Sequence, residues 1–221
     1  MNTRTQLFPS SLSHTVGRPE PVSTPPCSWR DAVPVLTGEH CALRELQAAD
    51  AQPLVSILTA PEVTRFMSPP PTSVERFARF IEWSRREREA GRYLAFALIP
   101  HAHASPVGLL QLRQLEPEFR TAEWGVAMAP QYWGAGLFLD AARLLLDFAF
   151  TQLRVHRLEA RAALANGRSQ AAMRKLGAVQ EGVLRRSLTT GDGQRLDQVL
   201  WSLLDEDWRR LTDQPDIVLV H

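Results

Sequence analysis

The sequence predicts an α+β (α/β) sandwich: a mixed, mostly antiparallel central sheet flanked by helices, in the order β-α-α-β-β-β-α-β-α-β-β. Three observations carry this. The strand-like runs "RYLAFALI", "VGLLQLRQL" and "TAEWGVAM" follow one another across short links, as antiparallel neighbours do. From there to the C-terminus strands alternate with helices, so the sheet is mixed rather than purely antiparallel. A final pair of runs flanks "TTGDGQ", whose Asp192-Gly193 pair is a strong hairpin signal.

Residues 1–32 read as a Pro/Ser-rich tail without the composition to fold. They lack the apolar core of a secretory signal, although their poverty in acids leaves an organelle transit peptide open. A single domain is expected over residues 33–211, with a C-terminal extension over 212–221. Within it, "HCALREL" alternates as a strand does, and Asp50 is placed to cap "AQPLVSILT". Thr72–Glu75 has the Thr-x-x-Glu capping-box pattern and opens a helix carrying Phe77, Phe80, Ile81 and Ser84, with Gly91 just past its end. "PHAHASP" turns between the next two strands. After "TAEWGVAM" comes a short loop holding Gly134 and Gly136. The following helix sets Leu137, Ala141, Leu144, Leu145 and Phe148 on one stripe. "RLEARAAL" is strand-like, and "NGRSQAAMRKLG" is a helix with Asn166 as N-cap and Gly177 as terminator. "VLRRSL" and "RLDQVLWSLL" are the two strands of the closing hairpin.

Bulk properties exclude several function classes. Lys+Arg total 25 against Asp+Glu 24, so the basic excess of a nucleic-acid binder is missing. No apolar run approaches the ~20 residues of a membrane helix. Cys27 and Cys41 make neither a disulfide framework nor a metal-ligand spacing, which fits a reducing cytoplasm. His101 and His103 mimic a metal pair but sit in a turn with no third ligand nearby, so no metal is expected. His156, just before a strand, and Trp201 and Trp208 near the C-terminus read as structural residues.

A strand, a glycine loop and a bare helix start in succession suit an anion, usually a phosphate, because free N–H groups and the positive end of the helix dipole converge there. "GAGLFLDA" fails the dinucleotide fingerprint for want of its third small residue, and no Gly-Lys-Ser/Thr makes it a Walker loop. A tight strand-to-helix turn without a ligand is the plainer alternative.

Residues further along extend the pattern. "QYWGAG" (Gln131–Gly136) resembles the acetyl-CoA signature of the GNAT N-acetyltransferase superfamily. Some thirty residues later, "NGRSQAAMRKLGAVQEGVLRR" resembles the Asn-x-x-Ser…Lys-Leu-Gly…Glu-Gly block of its RimJ/RimL-like, ribosomal-protein N-terminal acetyltransferase branch. "LTGEHCALRELQAADAQPLVSILTAPEVTRFM" and "LDQVLWSLLDEDW" fit the same branch, so the resemblance spans Val33 to Leu211. It implies the GNAT fold, acetyl-CoA as donor and an amine as acceptor.

By that resemblance Gln131 heads the signature. The N–H groups of Trp133, Gly134, Ala135, Gly136 and Leu137 cradle the coenzyme pyrophosphate. The strand backbone at Val126–Met128 pairs with the pantetheine arm and polarises the thioester carbonyl. Asn166 contacts the coenzyme while capping its helix, and Lys175, with Arg168 and Arg174, is placed to serve the phosphates, with a solvated basic face as the alternative reading of all three. Glu123 is the candidate base, directly or through water; a solvated strand carboxylate is its alternative reading. Many family members carry a tyrosine acid seven residues after the asparagine, but Met173 stands there. Ser169, four residues earlier on the same helical face, is the proton donor to the thiol that the resemblance to the N-terminal acetyltransferase branch implies, with simple capping as its alternative.

The acceptor expected first is a protein N-terminal α-amine, whose reference pKa of about 7.7–8.0 asks less of a base than the ~10.4 of lysine. A small-molecule amine such as an antibiotic or polyamine is the rival acceptor. A catalytically weak coenzyme A-binding module is the rival of another class. The early helices and Arg185 and Arg186 of the late hairpin are placed on the acceptor side, and a monomer or homodimer is expected.

Overall fold

The computed structural model of the protein describes residues 28–213. Most of the tail expected over 1–32, Cys27 included, and most of the extension expected over 212–221 lie outside the described residues. Residues 28–32 already dock on the domain. The Ser28 carbonyl closes a turn with the N–H of Asp31 at 2.7 Å, and Trp29 stands edge-on to Phe119 with ring centroids 5.5 Å apart.

Eight strands form one sheet: β1 (Leu36–Thr37), β2 (Cys41–Glu45), β3 (Tyr93–Pro100), β4 (Gly108–Gln114), β5 (Thr121–Met128), β6 (Arg157–Ala163), β7 (Val179–Thr189) and β8 (Arg195–Leu204). Their spatial order is β1-β2-β3-β4-β5-β6-β8-β7, antiparallel throughout except for the parallel β5–β6 pair. The helices are α1 (Ala51–Leu58), α2 (Pro61–Thr64), α3 (Val74–Glu89), α4 (Leu137–Thr151), α5 (Gly167–Lys175) and α6 (Asp205–Asp213). The expected order holds, with three additions: the two-residue β1, the single-turn α2 and the closing α6. Elements of two to four residues are too short to show a period. In α6, "DEDWRRLTD" carries Trp208 as its one buried side chain.

The sheet is covered on both faces, which is why β3 reads as a continuous apolar run rather than an alternating one. Tyr93, Ala95 and Ala97 join Leu54, Leu58, Phe77 and Ile81 under α1 and α3. Leu94, Phe96 and Leu98 point the other way, into the larger core with Leu145, Leu146 and Phe148 of α4 and Trp201 of β8. The α4 stripe is broader than the sequence indicated: Ala142, Leu146 and Ala149 are fully buried too, whereas Leu144 is partly buried.

Helix ends follow local chemistry, with two corrections. Ser73, not Thr72, caps α3 by accepting from the Arg76 N–H at 3.3 Å. Asp50 does not cap α1. Its carboxylate takes both guanidinium nitrogens of Arg44, at 2.7 and 2.8 Å, and the Gln47 N–H at 2.7 Å, closing a 3-10 turn that runs into α1. Gly91 and Gly177 end α3 and α5 in the left-handed conformation as expected. The hairpin signal resolves into a Thr190–Gly193 turn followed by left-handed Gly193 (φ 82°), which joins β7 to β8.

Asp140, in the first turn of α4, acts at long range. Its carboxylate accepts the backbone N–H groups of Glu39, His40 and Cys41 at 2.8–3.2 Å, capping the β1–β2 turn a hundred residues away. Burial works to raise the Asp140 carboxyl, but the His40, Cys41 and Glu39 donors together hold it below the usual range. Beside it, burial first and then the carboxylate push the Cys41 thiol up to about 12. Because the Asp140 value is depressed on folding, its stabilisation is present above the ordinary carboxylate range and is lost as pH falls through the lowered value. Asp140→Ala leaves three N–H groups without an acceptor and is expected to cost about 2 kcal/mol, lowering Tm by about 4–8 °C. An unchanged melting curve at neutral pH would show the turn to be independent of α4.

Candidate active site

The direction of the β5 backbone sets the site. At one end the Arg120 carbonyl accepts from the His156 N–H on the β6 side, at 2.9 Å. At the other end the Ala129 N–H donates to the Val107 carbonyl on the β4 side, at 2.9 Å. Backbone groups alternate along a strand, so Val126 and Met128 turn theirs toward β6. Yet β6 pairs with β5 only through Thr121, Ala122 and Glu123, and beyond Glu159 it pairs with β8 alone. The two parallel strands part, and the C-terminal half of β5 is left with an open edge.

The glycine loop is braced against that edge. The Trp133 indole donates to the Met128 carbonyl at 3.0 Å, and the Tyr132 hydroxyl meets His103 Nε2 at 3.0 Å. His101 Nε2 lies 3.0 Å from the Gly38 carbonyl, so both histidines of the β3–β4 turn have structural partners. The Trp133 N–H, expected among the anion donors, is already used: it closes a 3-10 turn onto the Pro130 carbonyl at 3.0 Å. Free donors begin one residue later. Gly136 is the N-cap of α4 and supplies no side-chain cap. Among the described residues, no acceptor meets the amides of Gly134, Ala135, Gly136 and Leu137. Gly134 and Gly136 have φ of 83° and 80°, where a Cβ is strained. A Cβ at either would touch no protein atom within 4 Å, so the backbone conformation demands glycine and the space in front of the loop is open. Gln131 is exposed.

The first turn of α5 faces the same place. Asn166 caps it, accepting from the Ser169 N–H at 3.2 Å, and the partly buried Ser169 hydroxyl has no partner among the described residues. Arg168 lays its guanidinium over the Trp133 ring, 4.2 Å from the centroid. That stack brings α5 against the loop and the end of β5. Met173 is buried in the core and offers no proton. Lys175 is not brought into the site. It lies in the last turn of α5, exposed, about 13 Å along the axis from Asn166. Arg168 is the basic group that the structure delivers instead.

Gln170 was not among the residues singled out from the sequence. It is buried, donates to the Ala163 carbonyl at 3.0 Å and accepts from the Trp201 indole at 2.9 Å. These bonds tie α5 to β6 and β8 and set which way Ser169 points. The available signal was its spacing of three from apolar Met173, which puts both on the inward face.

Glu123 is the last β5 residue paired with β6, on the face turned toward α1 and α3. Its carboxylate forms an ion pair with the half-exposed Arg113. Among the described residues, no helix is long and apolar enough to cross a membrane.

Known proteins resemble this chain in sequence and fold. The profile of the Acetyltransferase (GNAT) domain matches residues 40–179. The uncharacterized N-acetyltransferase p20 of Bacillus licheniformis is 28% identical over 171 residues, 77% of this chain and 96% of p20. The spermidine N(1)-acetyltransferase of Escherichia coli K12 is 35% identical over 77 residues, 35% of this chain and 41% of that enzyme. The structure of Mycobacterium smegmatis RimJ in complex with CoA-disulfide superposes with a TM-score of 0.70 at 25% identity, covering 82% of this chain and 91% of RimJ. The matched domain takes in the open β5 edge, the glycine loop and the first turn of α5, and on this ground the chain belongs to the GNAT family and is an N-acetyltransferase.

Proposed function

We propose that the protein transfers the acetyl group of acetyl-CoA to the N-terminal α-amine of a polypeptide, by direct attack in a ternary complex. The observation that carries this is the open edge of β5 beside an uncapped helix start, with an unpartnered serine hydroxyl in the adjoining turn of α5. The free amides from Gly134 to Leu137 suit the pyrophosphate. The backbone of Val126 and Met128 faces the gap in which a pantetheine arm would pair as a further strand. Acetyl-CoA supplies the activated acyl group. As the amine attacks, the C–N bond forms and the C–S bond breaks, and an N–H of the open β5 edge stabilises charge developing on the thioester oxygen. The amine proton leaves toward Glu123, directly or through water, once its bond to Arg113 is shared. Ser169 passes a proton to the departing thiolate and recovers one from solvent water, to which Glu123 in turn releases the amine proton. Asn166 holds the turn that carries Ser169.

The likeness to RimJ supports the polypeptide acceptor. The shorter likeness to the spermidine enzyme supports a small amine as the second reading. Thiol release from acetyl-CoA separates them. We expect turnover with peptides bearing free Ser, Ala or Thr N-termini, and none with the same peptides N-blocked but containing lysine. Release with a polyamine or aminoglycoside alone would establish the second reading. Thermal protection by acetyl-CoA with no transfer to any acceptor would leave a coenzyme-binding module.

A further inference from the structure

On the sheet face that holds Glu123, one polar side chain is oriented for a task that the chemistry above leaves unassigned. Gln111, in the middle of β4, stands opposite Ala95 of β3 and Gly125 of β5. Ala95 packs under α1 and α3, so Gln111 shares that face with the cross-strand row Tyr93, Arg113 and Glu123. From the β3 side, the Tyr93 hydroxyl donates to Gln111 Oε1. Burial pushes that hydroxyl well above its ordinary value, so Tyr93 keeps the proton it donates. A carboxamide whose oxygen is taken from one side presents its NH2 to the other. Gln111 Nε2 accordingly lies over β5. A Cβ at Gly125 would stand 3.1 Å from Nε2, and its next two neighbours would be carbons of the same side chain. Gly125 has no positive φ, so the backbone does not demand glycine there; the missing side chain is room for the amide. Nε2 meets no acceptor among the described residues. No buried side-chain nitrogen or oxygen among them lacks a partner, so this unused N–H pair is open to solvent.

The reaction brings the acceptor to the same spot. Its amine releases a proton toward Glu123 while attacking a carbonyl held at the Val126–Met128 backbone, and Gly125 lies between these two places on β5. Gly125 is also the first residue of the Glu123 face beyond the last β5–β6 pair, about 6.8 Å along the strand from Glu123. The carbonyl oxygen of an N-terminal residue is three bonds from its α-amine, about 3 Å away. Resting on the N-terminal acetyltransferase reading, we propose that Gln111 Nε2 donates to the first backbone carbonyl of the acceptor polypeptide, with Tyr93 as the positioning residue that holds the amide in this sense. A polyamine has no such oxygen and meets the N–H pair with N–H donors of its own. The contact therefore favours a peptide over a polycation.

The test compares two acceptors on the intact protein: a peptide with a free N-terminus, and the same peptide with a trans alkene in place of its first peptide bond, which removes that oxygen. The wild-type protein is expected to show a kcat/KM for the peptide roughly tenfold above that for the alkene analogue. Gln111→Ala is expected to lower the peptide value roughly tenfold and the analogue value far less, closing the gap. Partial misfolding would lower both alike and keep the gap. Tyr93→Phe, which frees the amide to turn, is expected to narrow the gap roughly threefold. Gln111→Glu keeps an acceptor for the Tyr93 hydroxyl but sets a carboxylate against the peptide carbonyl; it is expected to weaken the peptide further and to raise kcat/KM for spermidine. Equal values for peptide and analogue in the wild-type protein, or a gap that survives Gln111→Ala, overturn the inference and leave the N-terminal reading intact. A fall for both acceptors together with a raised KM for acetyl-CoA also overturns it and assigns Gln111 to the coenzyme. No turnover with any peptide removes the N-terminal reading and this contact together.

Discussion

Ser169→Ala is expected to lower kcat roughly 100-fold with acetyl-CoA binding preserved, since a positioned proton donor contributes on the order of 10²–10⁴ in rate. Three features make this sharp. The Ser169 hydroxyl has no partner among the described residues, so its removal strands no buried group. The Asn166 cap uses the Ser169 backbone N–H, which alanine keeps. The tyrosine of the family pattern is replaced by Met173, whose buried side chain offers no proton, so no substitute donor stands on that face of α5. Single-turnover rates and acetyl-CoA titration measure the two halves separately. A rate equal to wild type would remove Ser169 from the mechanism and leave it a helix residue.

Gly136→Val is expected to abolish protection of the fold by acetyl-CoA and to raise its KM roughly 100-fold, with a modest effect on the free protein. The φ of 80° costs a side-chain-bearing residue about 1–2 kcal/mol, and more when it is β-branched. No protein atom lies within 4 Å of a Cβ there, so no clash adds to that cost. The loss falls on the ligand. The valine side chain projects into the open space before the amides of Gly134 to Leu137, where a phosphate must approach, and tends to pull the cap out of its left-handed conformation. Melting curves with and without acetyl-CoA read both effects. Undiminished protection in a folded variant would show that the loop is only a strand-to-helix turn.

The sequence was legible wherever a feature is local. Gly134, Gly136, Gly177 and Gly193 announce left-handed positions because residues with a Cβ are strained there. Asn166 announces a helix start because its side chain and the Ser169 N–H are three residues apart. Two caps were misplaced by competing chemistry near at hand: Ser73 outranks Thr72, and Arg44 draws the Asp50 carboxylate away. Site residues named from motif alone divided on geometry. Gly134, Ala135, Gly136 and Leu137 carry amides free for an anion, whereas Trp133 has its N–H in a 3-10 turn and instead contributes an indole beneath Arg168. Lys175 is named with Arg168 and Arg174 as one basic face, but a nine-residue helix keeps its last turn away from its first.

Periodicity, caps and turn glycines thus determined the order of elements, the anion-suited loop and the helix that bears Ser169, because each depends on residues within a few positions of one another. Only the tertiary structure decided that β5 and β6 part after Glu123, that Asp140 holds a turn a hundred residues away, and that Gln170 aims α5 through Trp201. It alone also decided that the Gln111 amide lies over Gly125. These depend on which strands lie side by side. Strand neighbours are chosen by the burial of two whole sheet faces, a sum over distant side chains that no short stretch of sequence contains.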